Sequence, residues 1–600
     1  MPNSGKALEI SETSAGEESQ LNKSHSSVLV LAGEMSMTKP KFPKAVGFIM
    51  VNELCERFSF YGLKAILAIY LVRALGMSED ESTTSLHLFV TAAYFFPLLG
   101  GFISDRFLGK YLTILILSIV YCIGGACLAI TAIPGVVEYA FFAYLPNWWG
   151  VGMSLFLIAL GTGGIKPCVS SFIGDQFSKD QAVLLDKVFS AFYFCINLGS
   201  LLSTLLTPIL REEFSFAVAF AVPAILLGIA TIIFVSGTFL YKHVKPGTNV
   251  FKTVLLVVLT AWWYRIASCF GQKFQADDVI ATVEEEEEEE NEEAEEVPTP
   301  VDFPADATLD ATLVGGDPLI LEVLPEKPAS RHWLEWASPR YSADTIGDVK
   351  STLNILVVFL PLPVFWALFD QHASRFIFQA EKMNRSVFGL FTIQPDQVPV
   401  LNPLFLLMMI PILNKIVYPL CQHFVDVRPL RKMAVGMLLT SFSFVLAALV
   451  EFVLNYYTLH VIFQVPQYWV LSCGEVLVSI TGLELGYSQA PTKMKAVVAA
   501  CWLLTTSVGN LLVALVAEAN ICNQTCEFSL FAFLMFVFFL IFIPIAMWYK
   551  YKDYVGEAET EEKEISTKDG FVAMSDSEDS LLETNGLETE SLPASVDEAD

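Results

Sequence analysis

Long apolar stretches alternate with short polar ones twelve times along the chain. Each apolar stretch has the roughly 20 residues that a bilayer crossing requires. The predicted spans are 45–73, 83–104, 111–132, 150–172, 186–209, 216–240, 351–371, 400–420, 433–455, 462–485, 495–518 and 527–549. They are expected to be α-helical, because lipid offers no partner to a backbone N–H or C=O group. A further apolar stretch, Phe251–Tyr264, is too short to span and is expected to lie along the interface. His332–Lys350 is expected to form a short surface helix.

The spans divide six plus six around a polar linker. The expected parts are a cytoplasmic tail (1–41), an N-terminal bundle (42–240), a cytoplasmic linker (241–350), a C-terminal bundle (351–550) and an acidic tail (551–600). Nothing in residues 1–41 resembles a signal peptide, so the first span is expected to direct insertion. The even-numbered connections carry Arg106 and Lys110, Lys179 and Lys187, Lys242 and Lys245, Arg428, Arg431 and Lys432, and Lys493 and Lys495. The odd-numbered ones are acidic or mixed, so the positive-inside rule puts both termini in the cytoplasm. Two sequons, Asn384-Arg-Ser and Asn523-Gln-Thr, fall in connections that this topology turns outward. Twelve spans around a cytoplasmic linker give the outline of a major-facilitator transporter.

Composition agrees: 54% of the residues are hydrophobic and mean hydropathy is +0.54. The net charge of −28 is local. Residues 277–296 hold thirteen acidic and no basic residues, and residues 551–600 hold sixteen acidic residues against three lysines. The membrane body is close to neutral, so no nucleic acid partner is expected. The acidic segments are expected to be solvated appendages open to cytoplasmic partners. The cysteines lie mainly in apolar segments and show no metal-binding spacing. Cys522 and Cys526, in a polar connection, can form a short-loop disulfide or remain two thiols.

Against this apolar background the charges inside spans stand out. Glu53, Glu56 and Arg57 cluster in the first span at i,i+3 and i,i+4 spacing, with Tyr61 one turn on and Lys64 beyond it. A charge at the centre of a span costs roughly 2.5–3.5 kcal/mol, so such a stripe points to a polar pathway. His87 lies in the second span, Lys166 in the fourth, Asn197 in the fifth, Trp366 in the seventh, Asn402 in the eighth and Glu475 in the tenth. The glycines at 161–164 lack phosphate-loop spacing and suit close helix packing instead. No nucleophile–base pair or metal cluster is apparent, so no enzyme and no cofactor are expected. Cations in the first half and an anion in the second suggest a zwitterionic substrate. Arg57 and Lys166 suit a carboxylate, Glu475 an ammonium, Asn197 and Asn402 the amides, and Trp366 and Tyr61 the apolar walls.

Several long motifs resemble one family. Glu53-Leu-Cys-Glu-Arg-Phe-Ser-Phe-Tyr-Gly, Gly101-Phe-Ile-Ser-Asp-Arg-Phe-Leu-Gly-Lys and Phe192-Tyr-Phe-Cys-Ile-Asn-Leu-Gly-Ser resemble signatures of the proton-coupled oligopeptide transporters. Phe365-Trp-Ala-Leu-Phe-Asp-Gln and Gly486-Tyr-Ser-Gln-Ala-Pro resemble the animal di- and tripeptide transporters. The resemblance covers about 40–550 and implies proton-driven peptide symport by alternating access. It implies substrate contacts at Arg57, Tyr61, Tyr94, Lys166, Asn197, Trp366, Asn402, Tyr468 and Glu475. It implies proton handling at Glu53, Glu56, His87 and Glu475, and protons as the coupling ion.

Three departures from the family pattern stand out. Phe60 replaces a frequent tyrosine, and the ninth-to-tenth connection lacks the large outer domain of vertebrate members. Asn354 and Asn414 stand where animal members carry an Arg–Asp pair; two amides there can still hydrogen-bond, and the gate is expected to respond differently to pH. The plasma membrane is the expected location. Rival readings are an endolysosomal exporter of histidine and peptides, with Leu581-Leu582 as a faint sorting signal, and a non-transporting receptor or scaffold.

Overall fold

A computed structural model describes residues 42–134, 147–177, 181, 184–244, 250–270, 332–338, 340–387 and 389–552. Both tails, the glutamate run Glu284–Glu290 and the Leu581-Leu582 signal lie outside the described residues. Helix α1 (Ala45–Arg73) is followed by α2 (Glu79–Ile103), α3 (Gly109–Thr131), α4 (Asn147–Asp175), α5 (Leu185–Glu213) and α6 (Phe216–Ser236). Helix α7 (Val250–Phe270) lies in the linker. The seventh span is built from α8 (Ala343–Phe359), α9 (Leu362–Asp370) and α10 (Arg375–Glu381). A two-stranded hairpin, β1 (Ser386–Val387) and β2 (Phe391–Thr392), leads to the eighth span, α11 (Leu401–Ile412) and α12 (Tyr418–Gln422). Then follow α13 (Pro429–Leu454), α14 (Val465–Glu475), α15 (Thr481–Gln489), α16 (Lys495–Ala519) and α17 (Gln524–Trp548).

Every predicted span falls on a helix. Among the described residues, nine helical segments are long and apolar enough to cross a membrane, and a bent pair in the seventh span makes a tenth. Two further crossings follow from physical arguments. The segment Glu79–Thr131 has 53 residues, roughly 80 Å of helix, more than twice the apolar thickness of a bilayer. A π turn at Ser104–Leu108 and a left-handed Gly109 (φ +71°) divide it into α2 and α3. Helix α1 has ample length at 29 residues, and only its internal charges set it apart from the apolar spans.

Local sequence explains the ends and breaks. Ser78 and Glu81 form a capping box at the start of α2. Pro361 and Pro363 remove two backbone donors where the seventh span bends by 45°. Asn520, left-handed at φ 41°, ends α16. Cys522 and Cys526 are joined in a disulfide just before α17.

Two corrections to expectation concern the linker. The apolar stretch at 251–264 is part of a 21-residue helix, α7, which is longer than its hydropathy suggests. His332–Lys350 is not a separate surface helix. It is a 3₁₀ turn, Trp333–Ala337, followed by the first turns of α8. The reason is packing: Leu334 and Ala337 of the turn bury against Val257 and Ala261 of α7, together with Ile346 and Val349 of α8.

The chain packs as two compact units. Unit 1 comprises residues up to Ile66 and Leu108–Lys245, and unit 2 comprises Leu67–Phe107 and everything from Pro246. In unit 1, close approach explains three glycines. A Cβ on Gly161 would stand 2.9 Å from the Leu117 carbonyl of α3, one on Gly124 would meet the Ile158 backbone of α4, and one on Gly199 would meet the Leu54 carbonyl of α1. In unit 2, α2 packs along α16. Its core is aromatic, with Phe365, Trp366, Phe376, Phe444, Trp502 and Phe528 in one cluster.

Candidate functional site

The charged triplet of α1 is buried in unit 1 and internally paired. Arg57 Nε donates to Glu53 Oε1 at 2.7 Å and lies 2.9 Å from Glu56 Oε2. Glu53, Glu56 and Arg57 are 1%, 0% and 8% exposed, so water contributes little to solvating them. Helix α4 supplies the next partners. Thr162 Oγ1 donates to Glu56 Oε1 at 2.6 Å. One turn further along α4, the Lys166 ammonium lies 4.4 Å from the centre of the Phe60 ring, and Phe60 is itself one turn beyond Glu56. The α1–α4 contact therefore holds two anions and two cations, as buried charge requires. Phe60, the residue lacking the family's hydroxyl, presents an aromatic face to a cation instead. Its neighbour Tyr61 is half-buried and meets the Phe60 ring edge-on.

Other polar groups surround this cluster. Asn197 of α5 turns its amide back to the Tyr193 carbonyl of its own helix at 2.8 Å. Tyr121 of α3 and Ser59 of α1 face a cavity of about 20 Å³, room for one water.

In unit 2, His87 is fully buried between neutral groups. Its Nδ1 lies 2.7 Å from Asn510 Oδ1 of α16, and its Nε2 lies 2.9 Å from Ser374 Oγ. Asn510 Nδ2 in turn donates to Asp370 Oδ2 at 2.7 Å, which makes its Oδ1 the acceptor facing His87. Nδ1 of His87 then carries a proton, and Nε2 is where a second proton can be gained. Ser374 can answer by turning its hydroxyl from donor to acceptor. His87 is also the middle rung of an antiparallel ladder between α2 and α16. Thr84 donates to the Ala514 carbonyl on one side, and Ser507 donates to the Thr91 carbonyl on the other.

Glu475 closes α14, immediately before a π turn at Val476–Ile480. Its Oε2 accepts from Asn402 Nδ2 of α11 at 2.7 Å, and the same amide reaches Ser472 Oγ at 3.2 Å. Trp366 packs against Phe365, Phe369 and Trp502, and its indole N–H meets no hydrogen-bond acceptor among the described residues. Tyr468 is fully buried, its hydroxyl donating to the His372 carbonyl and its ring set against Phe376. Tyr94 is half-buried on α2.

The gate residues are not joined. Asn354 is half-buried on α8 and Asn414 is exposed in the π turn at Leu413–Val417, with no hydrogen bond between them among the described residues. The hydrogen bond that two amides could make there is not formed. Two neutral amides lack the Coulomb attraction that draws an Arg–Asp pair together across a gap.

The sequence reading brought forward Arg57, Glu53 and Glu56 as a set, and the structure places them in one. It missed Thr162, Ser374 and Asn510, three of the groups that hold Glu56 and His87. Each lies more than a hundred residues from its partner, and only its polarity inside an apolar span marks it.

Comparison with known proteins agrees with this architecture. The family profile described as PTR2, the POT family, matches residues 111–528. Solute carrier family 15 member 2 of Rattus norvegicus is 38% identical over 421 residues, covering 69% of this chain and 50% of that protein, so the chain spans about half the length of this relative. The in meso crystal structure of the POT family transporter PepTSo is similar with a TM-score of 0.68 and 32% identity, over 85% of this chain and 98% of that one. The crystal structure of an auto inhibited POT family peptide transporter gives a TM-score of 0.66 and 29% identity, over 85% and 98%. An all-α architecture, a multi-pass membrane location and the major-facilitator fold follow, and the chain belongs to the POT family of transporters.

Proposed function

We propose that this protein is a proton-coupled symporter of di- and tripeptides that works by alternating access, sits in the plasma membrane and keeps both termini in the cytoplasm. The observation that carries the reading is the clamp on Arg57. One guanidinium serves two buried carboxylates, Glu53 and Glu56. Two carboxylates this close do not readily ionise together once the cation is drawn away. A proton arriving at either one weakens its hold, and Arg57 becomes available to a peptide carboxylate, which it can grip with two parallel hydrogen bonds. Lys166 adds a second positive charge for the same group. Glu475 takes the peptide amino terminus, with Asn402 orienting its carboxylate, and Trp366 and Tyr61 serve the side chains. His87 receives a proton at Nε2 and passes it on through Ser374. Release follows when Glu53 and Glu56 lose their proton and compete for Arg57 again. The auto inhibited family member is named a peptide transporter, which supports peptides as the substrate class.

The test is uptake of a labelled dipeptide by proteoliposomes under an inward proton gradient. Uptake above the equilibrium level is expected only with the gradient. Glu56→Gln is expected to retain exchange of peptide across the membrane and to lose stimulation by the gradient. Full stimulation in Glu56→Gln would remove Glu56 from the coupling role.

A further inference from the structure

We propose that Asn384 is a site of N-linked glycosylation and that Asn523, the other sequon, is not. The inference rests on the outward orientation of the odd-numbered connections and is independent of the transport reading. One end of unit 2 gathers the relevant segments. The Asn384 N–H donates to the Leu459 carbonyl at 2.8 Å and the Asn384 carbonyl accepts from the Val461 N–H at 2.9 Å, tying the seventh-to-eighth connection to the ninth-to-tenth. Asn455 Nδ2 donates to Thr525 Oγ1 at 3.3 Å, tying the latter to the start of α17. This end carries the Cys522–Cys526 disulfide, a bond that persists in oxidising compartments. The opposite ends of the same helices carry Arg428, Arg431, Lys432, Lys493 and Lys495, the cytoplasmic mark. Covalent chemistry and charge distribution thus agree on which end faces out.

The two sequons differ at that end. Both asparagines are exposed, and Asn384 Oδ1 accepts from the Ser386 N–H at 3.1 Å. That bond folds the sequon into an Asx turn and leaves the amide nitrogen, the group that is glycosylated, directed away from the backbone. The connection from Lys382 to Val400 is the longest at this end of unit 2. Asn523 instead caps α17, its Oδ1 accepting from the Cys526 N–H at 3.0 Å. Gln524 is held by Lys382 and by the Arg375 carbonyl, and the Thr525 hydroxyl is held by Asn455.

The modification is a group transfer. Asn384 Nδ2 attacks the anomeric carbon of a lipid-linked oligosaccharide pyrophosphate, and a C–N bond forms as the C–O bond to phosphate breaks. The lipid pyrophosphate leaves with the bonding electron pair, and the amide proton passes to a base of the host transferase. The test is expression of the full chain in animal cells, followed by N-glycosidase. The wild-type band and that of Asn523→Gln are expected to shift to greater mobility, with Asn384 recovered as Asp by peptide mass spectrometry. Asn384→Gln and Ser386→Ala are expected to show no shift. A wild-type band that does not move, or a shift that survives Asn384→Gln, overturns the proposal. Dipeptide uptake by the same cells reports on transport separately, since neither sequon lies in the proposed binding residues.

Discussion

In α1 the buried groups are ions balanced by ions, whereas around His87 and Glu475 the partners are amides and hydroxyls. Glu53, Glu56, Arg57 and Lys166 form a set of opposite charges, with the Thr162 hydroxyl and the Phe60 ring as neutral contacts. His87 lies between Asn510 and Ser374, and Glu475 accepts from Asn402. The two arrangements respond differently to a proton. In the ionic cluster a proton changes which pairs attract, so it can release a cation to a ligand. Around His87 a proton at Nε2 is accommodated by turning the Ser374 hydroxyl from donor to acceptor. Binding and coupling are thereby separable by substitution.

The comparison breaks most severely at Arg57. Removing one partner of a buried ion pair costs about 3–5 kcal/mol, and Arg57→Ala leaves two carboxylates without their guanidinium. Dipeptide uptake is expected to fall below detection, with less folded protein recovered in size-exclusion chromatography. Arg57→Lys is expected to restore folding but not uptake, because an ammonium lacks the fork that spans two carboxylate oxygens. Wild-type uptake in Arg57→Lys would mean that charge alone is sufficient there.

Glu475→Gln comes next. A hydrogen bond to a charged group is worth roughly 1.5–3 kcal/mol, so affinity for peptides with a free amino terminus should drop about 10- to 100-fold in a competition assay. Peptides with an acetylated amino terminus should bind both forms alike. Equal losses for the two kinds of peptide would detach Glu475 from the amino terminus.

A somewhat smaller effect is expected at Asn510. Asn510→Ala leaves both His87 Nδ1 and Asp370 without their bridging amide, at about 1–3 kcal/mol for an unsatisfied buried group. The pH dependence of uptake should change shape while counterflow of peptide persists, which a substitution affecting only packing would not produce. An unaltered pH profile would count against His87 as a proton acceptor. The mildest change is at Phe60. A cation over an aromatic face contributes about 0.5–2 kcal/mol, so Phe60→Leu should weaken uptake a few-fold, and Phe60→Tyr should stay near wild type. If Leu and Tyr behave alike, the Lys166 contact with the ring is incidental.

Much of this fold is written in segment lengths. Bilayer thickness sets the length of a crossing helix and lipid forbids unpaired backbone, so hydropathy alone places α1 over Ala45–Arg73. It serves less well where packing overrides composition. Helix α7 continues through Arg265 to Phe270, past the apolar stretch that marks it, and the turn at Trp333–Ala337 buries against it from some seventy residues away. The same division holds for the site. The spacing of Glu53, Glu56 and Arg57 within one helix puts them together by geometry that the chain carries locally.

What the sequence determined by itself is therefore what repeats at short range: the spans, their caps and the charged face of α1. Tertiary structure alone decided that Thr162 meets Glu56, that Asn510 bridges His87 and Asp370, and that Asn354 and Asn414 do not pair. Those outcomes depend on which helices become neighbours and at what register. A hydrogen bond forms only within about 3 Å, a condition that no spacing along one chain segment can fix for residues a hundred positions apart.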